Sequence, residues 1–327
     1  MTTAHLVTND DIVAAEQALE GWVQRTPSLW SPALGARLGA RVALKLELMQ
    51  KTGCFKPRGI INKLLSLSDE EKKRGLITVS GGNHGIAIAA IGKEMAIAVT
   101  VVMSEKAPLR SQARIKASGA TLLLTPDAGA AFELAEKECA EKGMTYIHSY
   151  DDPKIIAGHG TVGREFIADQ PDLTDVLISI GGGGLISGCA VALKAANPQI
   201  RIWGVETEGA DAMTQALAKG APEKIQVTSI ATTLGAPSVT DRTLSHVQAL
   251  VETVLTVSDA EAVGGVITLM EEAKLFAEPA AGCLIPAARQ VIERMGPEAK
   301  LGLVICGGNV AFSDVEGWVE RFGVSAG

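Results

Sequence analysis

The heptapeptide GCFKPRG, residues 53–59, places a lysine directly before a proline that favours the first turn of a helix. Lys56 is therefore expected at a helix N-terminus, with Pro57 as the first helical residue. The positive end of the helix dipole and the guanidinium of Arg58 both disfavour an ammonium group there, which predicts a lowered pKa for Lys56. A neutral lysine amine acts as a nucleophile toward aldehydes and as a base toward C–H protons. A solvated lysine at a helix start is the simpler alternative for this stretch alone.

The composition is that of a globular α/β protein. The chain has 327 residues, enough for two lobes, and is 47% hydrophobic with few aromatic residues. Its net charge of −7 argues against nucleic acid as a main partner. We expect neither a membrane span nor a signal peptide, because no apolar run is long enough and residues 1–11 lack a basic segment followed by an apolar one. The five cysteines form no CxxC pair, so reduced thiols in a cytoplasmic protein are expected.

Short apolar runs alternate with amphipathic stretches along nearly the whole chain, which predicts parallel sheets with right-handed crossovers. The predicted strands are residues 42–48, 76–80, 97–103, 121–125, 146–148, 176–180, 200–206, 253–257 and 301–306. The predicted helices are residues 10–20, 57–67, 84–93, 108–118, 128–141, 153–168, 185–196, 210–219, 259–274, 280–294 and 313–322. Ligands of such sheets bind beyond the carboxyl ends of the strands, where this chain has glycine-rich turns.

The turn GGGGLISG, residues 181–188, follows an apolar strand and begins a helix. Glycines without Cβ atoms let backbone N–H groups converge on an anion, and the helix dipole adds to the attraction, so the turn predicts a phosphate site. Its spacing matches neither a Walker loop nor the GxGxxG of dinucleotide folds. Close packing between the helix and the sheet is the alternative explanation.

Two further turns carry polar side chains. In SGGNHG, residues 80–85, Asn83 and His84 stand at a helix start and suit a carboxylate or a phenolic oxygen, although simple capping by Asn83 explains the pattern equally well. In CGGN, residues 306–309, Cys306 ends a buried strand. Its thiol is either a core residue or a weak hydrogen-bonding partner for a heterocyclic nitrogen.

These features match the aldehyde, phosphate, phenolic oxygen and pyridine nitrogen of pyridoxal 5′-phosphate (PLP). The chain resembles the fold-type II PLP enzymes, specifically the serine/threonine dehydratase and serine racemase group, from RTPSLWSPAL at residues 25–34 to the GGN turn at residues 307–309. The resemblance implies a two-lobed α/β fold like that of the tryptophan synthase β chain, with parallel-rich twisted sheets flanked by helices. Residues 1–48 and 148–327 would form a large PLP-binding lobe, and residues 49–147 a small mobile lobe.

The resemblance also implies the site residues. Lys56 would be the catalytic residue and would form the covalent link to the cofactor, with Phe55 packed against the ring. The remaining implied cofactor contacts are Asn83 at the phenolic oxygen, Gly181, Gly182, Gly183, Gly184 and Leu185 at the phosphate, Glu278 near the cofactor and Cys306 beside the ring nitrogen. The implied substrate contacts are Ser80, Gly81, Asn83 and His84.

The implied reaction is β-elimination. A neutral thiol at Cys306 leaves the pyridine nitrogen largely unprotonated, so the cofactor is a weaker electron sink, which favours loss of a β-leaving group over transamination. Lys56 would remove the Cα proton, the β-hydroxyl would leave, and hydrolysis would give a 2-oxo acid and ammonia. Serine, threonine, hydroxyaspartate and phenylserine are the candidate substrates.

Several positions depart from the family pattern. The racemases carry a serine where this chain has Gly81, so we expect little racemase activity. The usual IADG segment, which lines the cofactor in relatives, reads IATT here and includes Thr232 and Thr233. The small residues of 126–132 either leave room for a large β-substituent or simply begin a helix. His159 replaces a common glutamine, and a structural hydrogen bond is expected for it.

The family's divalent-cation site is incomplete in this sequence. Its acidic residue and backbone carbonyl map to Glu206 and Ala210, but its second acidic residue maps to Ala212, which offers no side-chain oxygen. Hard cations need several oxygen ligands. A divalent or monovalent cation is therefore a doubtful expectation that depends on water or Asp211.

Alternative functions remain at this point. A β-replacement synthase is disfavoured because those relatives usually have threonine where His84 stands, and a dehydrogenase is disfavoured by the missing GxGxxG. A racemase of the same fold and a non-catalytic PLP-binding regulatory protein stay open. We expect a homodimer from the resemblance, an amino-acid substrate, and no C-terminal effector domain after residue 322.

Overall fold

The computed structural model describes residues 6–324 and has two twisted sheets flanked by helices. The strands are β1 Ser28–Trp30, β2 Arg41–Lys45, β3 Leu76–Val79, β4 Val99–Ser104, β5 Thr121–Thr125, β6 Thr145–Tyr146, β7 Asp175–Ser179, β8 Arg201–Thr207, β9 Thr253–Val257 and β10 Lys300–Val304. The larger sheet has the order β1-β2-β10-β7-β8-β9, and the smaller one β5-β4-β3-β6.

The helices cover both sheets. They are α1 Asn9–Ala18, α2 Pro32–Leu38, α3 Lys56–Leu65, α4 Asp69–Lys73, α5 Asn83–Glu94, α6 Leu109–Ala117, α7 Ala128–Lys142, α8 Pro153–Asp169, α9 Gly184–Ala196, α10 Ala212–Lys219, α11 Asp241–Leu250, α12 Asp259–Glu272, α13 Pro279–Gly282, α14 Leu284–Met295 and α15 Phe312–Phe322. Short 3-10 helices span Glu47–Met49, Lys51–Gly53 and Thr232–Leu234. No helix in the described part of the chain is long and apolar enough to cross a membrane.

Strand direction confirms the predicted parallel-rich α/β class. Strand β1 is antiparallel to β2, whereas the other neighbouring strands in both sheets are parallel. In the larger sheet Leu303 lies opposite both Leu44 and Leu177. Strands β3, β7 and β10 are each followed by one of the glycine-rich turns, so their carboxyl ends carry the residues of interest.

Glycines allow the helices near the site to pack closely. A Cβ added at Gly188 on α9 would lie 2.2 Å from the backbone oxygen of Ile156 on α8. A Cβ at Gly158 would lie 2.5 Å from the backbone oxygen of Arg58 on α3. Helix α8 is therefore in backbone contact with both the helix that follows the phosphate turn and the helix that carries the lysine.

The sequence prediction missed several elements. Strand β1 is a short edge strand, and helices α2 and α4 are too short for a clear hydrophobic period. Helix α11 begins at a capping box formed by Thr240 and Thr243, a signal the prediction overlooked. The division into lobes at residues 49 and 147 remains a prediction, and its residues 1–5 and 325–327 lie outside the described residues.

Candidate active site

Lys56 is the first residue of α3, one position earlier than predicted, and Pro57 is the second. Its amine donates a hydrogen bond to the backbone oxygen of Ser149 at 2.9 Å and lies 4.9 Å from the centre of the Phe55 ring. Burial lowers the pKa of Lys56 to about 8. The direction matches the sequence prediction, but the cause is burial and not the charge of Arg58.

Arg58 cannot act on Lys56 as predicted because buried carboxylates neutralise it. Its guanidinium donates to both oxygens of Glu47 at 2.8 Å and to the oxygens of Glu165 at 2.7 and 2.8 Å. Lys45 donates to Glu165 at 2.6 Å. Side chains of Arg58, Lys45 and Glu47 are fully buried. We call these four residues the buried ion cluster, and it fixes the first turn of α3 to β2 and α8.

The phosphate turn is shaped by packing against one aromatic residue. Gly183 has φ 91° and is the N-cap of α9. A Cβ at Gly182 would lie 2.3 Å from the ring of Tyr150, and one at Gly184 would lie 3.0 Å from Tyr150. These two glycines thus make room for Tyr150, which lies outside the sheets, so the contact is not the packing between helix and sheet that was considered as the alternative. The N–H groups of the first turn of α9 still lack helical partners, as at any helix start, and can bind an anion.

The polar turn after β3 is organised by Ser80. Its hydroxyl accepts hydrogen bonds from the backbone N–H groups of Gly82 at 3.3 Å and Gly85 at 3.1 Å. A Cβ at Gly81 would lie 3.1 Å from the Cβ of Ala107, so a side chain there is crowded. His84 is buried, and within residues 6–324 neither of its ring nitrogens makes a well-formed hydrogen bond. Burial holds the pKa of His84 well below its usual value, so a neutral imidazole is available to a ligand.

Glu278 connects the polar turn with the CGGN turn. Asn83 donates from its amide to both Glu278 oxygens at 2.9 and 3.1 Å. The hydroxyl of Thr233 donates to the same carboxylate at 3.0 Å, and the backbone N–H of Asn309 at 3.1 Å. The Asn309 amide also donates to the side-chain oxygen of Asn83 at 2.7 Å. Burial raises the pKa of Glu278, although these donors oppose the shift.

Cys306 follows β10 and is buried beside Ser179, whose hydroxyl donates to its sulfur at 3.5 Å. Burial raises the pKa of Cys306 well above its usual value, so the side chain is a neutral thiol. The backbone oxygen of Cys306 accepts a hydrogen bond from the N–H of Phe55 at 3.1 Å. Cys306 and Lys56 therefore lie on adjoining backbone segments.

Some residues of the site were not predicted from the sequence. Tyr150 shapes the phosphate turn and donates from its hydroxyl to the backbone oxygen of Ser238 at 2.7 Å. His148 accepts hydrogen bonds at Nδ1 from the N–H groups of Tyr150 and Asp151 at 3.2 and 2.8 Å. His148 is the last residue of a predicted strand and Tyr150 follows it, and their proximity to the phosphate turn depends on the fold. Glu278 was predicted, but its partners Thr233 and Asn309 were not.

The structural hydrogen bond expected for His159 is at most a poorly aligned contact with the backbone of Gly184. His159 is fully buried on α8, and neither ring nitrogen has a well-formed partner within the described residues. Its ring lies edge-on to Phe55 with centroids 4.8 Å apart, and Nε2 lies 2.6 Å from the position of a Cβ at Gly59. His159 therefore packs the first turn of α3 and occupies space that Gly59 leaves open.

The suggested cation ligands Glu206 and Ala210 lie just before α10, and a cation there remains a doubtful prediction. Glu206 accepts hydrogen bonds from the backbone N–H groups of Met213 and Thr214 at 2.9 and 2.8 Å and from the Thr214 hydroxyl at 2.7 Å. Both carboxylate oxygens are thus used at the start of α10, and burial raises the pKa of Glu206 to about 7. The N–H of Ala210 donates to the backbone oxygen of Thr207. Residues 6–324 contain no cluster of three His, Cys, Asp or Glu residues suited to a metal ion.

Pyridoxal phosphate fits the arrangement that remains. A buried lysine amine with a lowered pKa, an N–H turn suited to phosphate, a neutral thiol and the buried imidazole of His84 lie near the carboxyl ends of β3, β7 and β10. The hydroxyl of Ser187, in the first turns of α9, is also buried without a hydrogen bond in the described structure. Buried polar groups normally have partners, so these vacancies are consistent with a polar ligand.

Comparisons with known proteins agree with this assignment. The sequence profile of the family described as pyridoxal-phosphate dependent enzyme matches residues 19–307. The chain is 34% identical over 324 residues to L-threonine ammonia-lyase of Thermotoga maritima, covering 98% of this chain and 80% of that protein. It is 37% identical over 327 residues to a catabolic L-threonine dehydratase of Staphylococcus aureus, covering 98% and 94%. The solved structure of maize serine racemase matches with a TM-score of 0.89 and 31% identity over 97% of this chain and 98% of that one.

Proposed function

The chain belongs to the family of pyridoxal-phosphate-dependent enzymes, and we propose that it is an ammonia-lyase that dehydrates and deaminates a β-hydroxy amino acid. The product would be a 2-oxo acid together with ammonia. L-Threonine is the first substrate to test, because the similar bacterial proteins are named for that amino acid. Serine, hydroxyaspartate and phenylserine are the other members of the class.

The neutral thiol of Cys306 is the observation that carries this proposal. Pyridoxal phosphate, when bound, supplies an aldehyde carbon and an electron sink for charge that develops at Cα. A carboxylate beside its ring nitrogen would strengthen that sink, whereas Cys306 is buried, uncharged and already accepts a hydrogen bond from Ser179. The proposed site therefore favours departure of a β-substituent over transamination.

Lys56 would accept the proton that the substrate loses from Cα. With a pKa of about 8, its amine is largely neutral above that pH and can take a proton from Cα of the substrate. The backbone oxygen of Ser149 orients the amine through the 2.9 Å hydrogen bond. The β-hydroxyl leaves as Cα loses its proton, and water later releases the 2-oxo acid and ammonia.

The polar turn would bind the substrate carboxylate. Gly81 and the first turn of α5 offer backbone N–H groups, and the buried imidazole of His84 has at most a poorly aligned contact with the backbone of Ile147 in the described structure. Asn83 would contact the phenolic oxygen of the cofactor while Glu278 holds its amide. Closure of the proposed small lobe, residues 49–147, would exclude water from the reaction.

We also propose a homodimer located in the cytoplasm. The support for the cytoplasm is chemical, since the five cysteines are free and four of them are buried. The support for the dimer is family resemblance.

The test is a turnover assay with purified holoenzyme. Serine, threonine, hydroxyaspartate and phenylserine are each supplied, and 2-oxo acid and ammonia are measured. Lys56→Ala is expected to lose the covalently bound cofactor and turnover, whereas Lys73→Ala, an exposed lysine paired with Glu70, should match the unaltered protein. Ammonia release that survives in Lys56→Ala would remove Lys56 from the mechanism. Bound cofactor without turnover of any of the four would favour a binding protein.

Racemisation is the second candidate activity, because serine racemases are among the similar structures. Gly81 offers no hydroxyl at the position where those enzymes are expected to carry one, and Ala107 crowds the space above it. We therefore expect D-amino acid to form far more slowly than 2-oxo acid. Chiral chromatography of the same reactions measures both products.

A further inference from the structure

One threonine touches several parts of the candidate active site. The hydroxyl of Thr233 donates a hydrogen bond to Glu278 at 3.0 Å. Its methyl carbon lies 3.6 Å from the position that a Cβ on Gly82 would occupy. The backbone oxygen of the next residue lies 3.2 Å from the corresponding position on Gly181. Thr233 is half-buried between the polar turn and the phosphate turn.

We propose that Thr233 is a positioning residue, whose hydroxyl fixes the Glu278 carboxylate that holds Asn83 and whose methyl group packs over Gly82. The inference rests on the proposed function, because its effect on catalysis passes through Lys56 and the bound cofactor. Thr233 acts through Glu278 and contacts no reacting atom.

The surroundings of Glu278 explain why one hydroxyl matters. The carboxylate is buried and receives donors from Asn83, Thr233 and the backbone of Asn309. Every one of these partners can donate to an ionised carboxylate, so together they favour its charged form against the cost of burial. Thr233 supplies a hydroxyl donor from the 3-10 helix Thr232–Leu234, which lies outside all three glycine-rich turns.

The titratable groups that face Glu278 are Lys56 and the thiols of Cys54, Cys283 and Cys306. Burial raises the pKa of each thiol, so these groups stay neutral. The negative charge of Glu278 therefore stabilises the protonated form of Lys56. Loss of the Thr233 hydroxyl would make Glu278 harder to ionise and would weaken the support for a positive charge at Lys56.

Two substitutions separate the hydroxyl from the methyl group. Thr233→Val keeps the shape and removes the donor, whereas Thr233→Ser keeps the donor and removes the methyl group. Thr121→Val is the matched control, because Thr121 is exposed on β5, away from the candidate site, and its side chain makes no hydrogen bond in the described part of the chain. All variants are compared with the unaltered protein in cofactor-free and PLP-loaded form.

The cofactor-free protein tests the hydrogen bond directly. The folded-state pKa of Glu278 is raised, so stability is lost as pH rises above 4.5, its ordinary value. Thr233→Val raises that pKa further, and its Tm should fall below that of the unaltered protein increasingly with pH, by about 2–4 °C near neutrality. Thr233→Ser and Thr121→Val should stay within about 1 °C.

The loaded enzyme tests the consequence for Lys56. Absorbance of the bound cofactor, titrated against pH, reports protonation of its link to Lys56, and Thr233→Val should move the midpoint to lower pH. The KM for the amino acid should rise about tenfold, because Glu278 holds Asn83 less firmly. Thr233→Ser should have the same midpoint as the unaltered protein and a KM close to that of the unaltered protein.

The outcomes distinguish this inference from the proposed function. If the unaltered protein takes up no PLP, the proposed function fails, and the pH dependence of Tm in the cofactor-free variants still decides the role of Thr233. If Thr233→Val matches the unaltered protein in Tm at every pH, the inference is wrong. It is equally wrong if Thr233→Ser is as impaired as Thr233→Val, since the hydroxyl would then not be the decisive group.

Discussion

Replacing Arg58 by methionine is expected to destabilise the protein by about 3–5 kcal/mol. The Arg58 guanidinium donates to Glu47 at 2.8 Å and to Glu165 at 2.7 and 2.8 Å, and its side chain is fully buried. Without it, two buried carboxylates face each other and share only the ammonium group of Lys45 within this cluster. Breaking a buried ion network from one side is costly because the remaining charges stay uncompensated.

The expected change in Tm follows from chain length. Unfolding entropy of about 2.1 cal/mol/K per residue gives about 0.7 kcal/mol/K for 327 residues, so a loss of about 4 kcal/mol lowers Tm by about 6 °C. Thermal and urea unfolding of the cofactor-free protein measure the effect. Uptake of PLP should also weaken, because Arg58 lies two residues after Lys56 and fixes the same helical turn.

A second arginine provides the control. Arg25 pairs with Asp169 on the surface, and its side chain is 57% exposed. Arg25→Met should cost less than about 1 kcal/mol, since exposed pairs contribute little. If Arg58→Met and Arg25→Met prove equally stable, the buried ion cluster does not hold α3 in the way argued above.

Three further changes test other parts of the site. Gly182→Ala places a Cβ 2.3 Å from the ring of Tyr150, so a loss of about 1–3 kcal/mol in unfolding free energy and weaker PLP binding are expected, and unchanged titration curves would contradict this. The rate of PLP uptake by the cofactor-free protein should rise with pH around a midpoint near 8, because Lys56 must be neutral to react, and a midpoint at the ordinary 10.5 would refute the effect of burial. A chelator should leave Tm unaltered, because Glu206 already accepts three hydrogen bonds from Met213 and Thr214, and a fall in Tm would indicate a bound cation.

Local patterns in the sequence were enough to locate the glycine-rich turns. The strands before them are short apolar runs, and the helices after the first two turns start at Asn83 and Gly184, so β7 and α9 were predicted within a residue or two. Parallel strands bring their carboxyl ends to one edge of a sheet, which explains why turns far apart in sequence meet. Lys56 could be identified because proline fixes a helix start immediately after it.

Contacts between residues far apart in the chain could not be predicted from the sequence. The heptapeptide suggested that Arg58 lowers the pKa of Lys56, yet Arg58 is neutralised by Glu47 and by Glu165, which is 107 residues away. No local pattern distinguishes a free arginine from one enclosed by carboxylates. The same limit explains Tyr150, whose ring takes its place beside Gly182 only after β7 and the following turn are assembled.

Glu278 shows how the separate turns are made to depend on one another. Its carboxylate accepts hydrogen bonds from the Asn83 amide of the polar turn, from the backbone N–H of Asn309 in the CGGN turn and from the hydroxyl of Thr233. A buried carboxylate that lost one of these donors would bear a cost of roughly 1–3 kcal/mol, so each contact restricts where the others can lie. The Asn309 amide closes the arrangement by donating to Asn83 at 2.7 Å. Because these hydrogen bonds converge on one carboxylate, they fix the polar turn relative to the CGGN turn, and loss of any one of them would loosen both turns together.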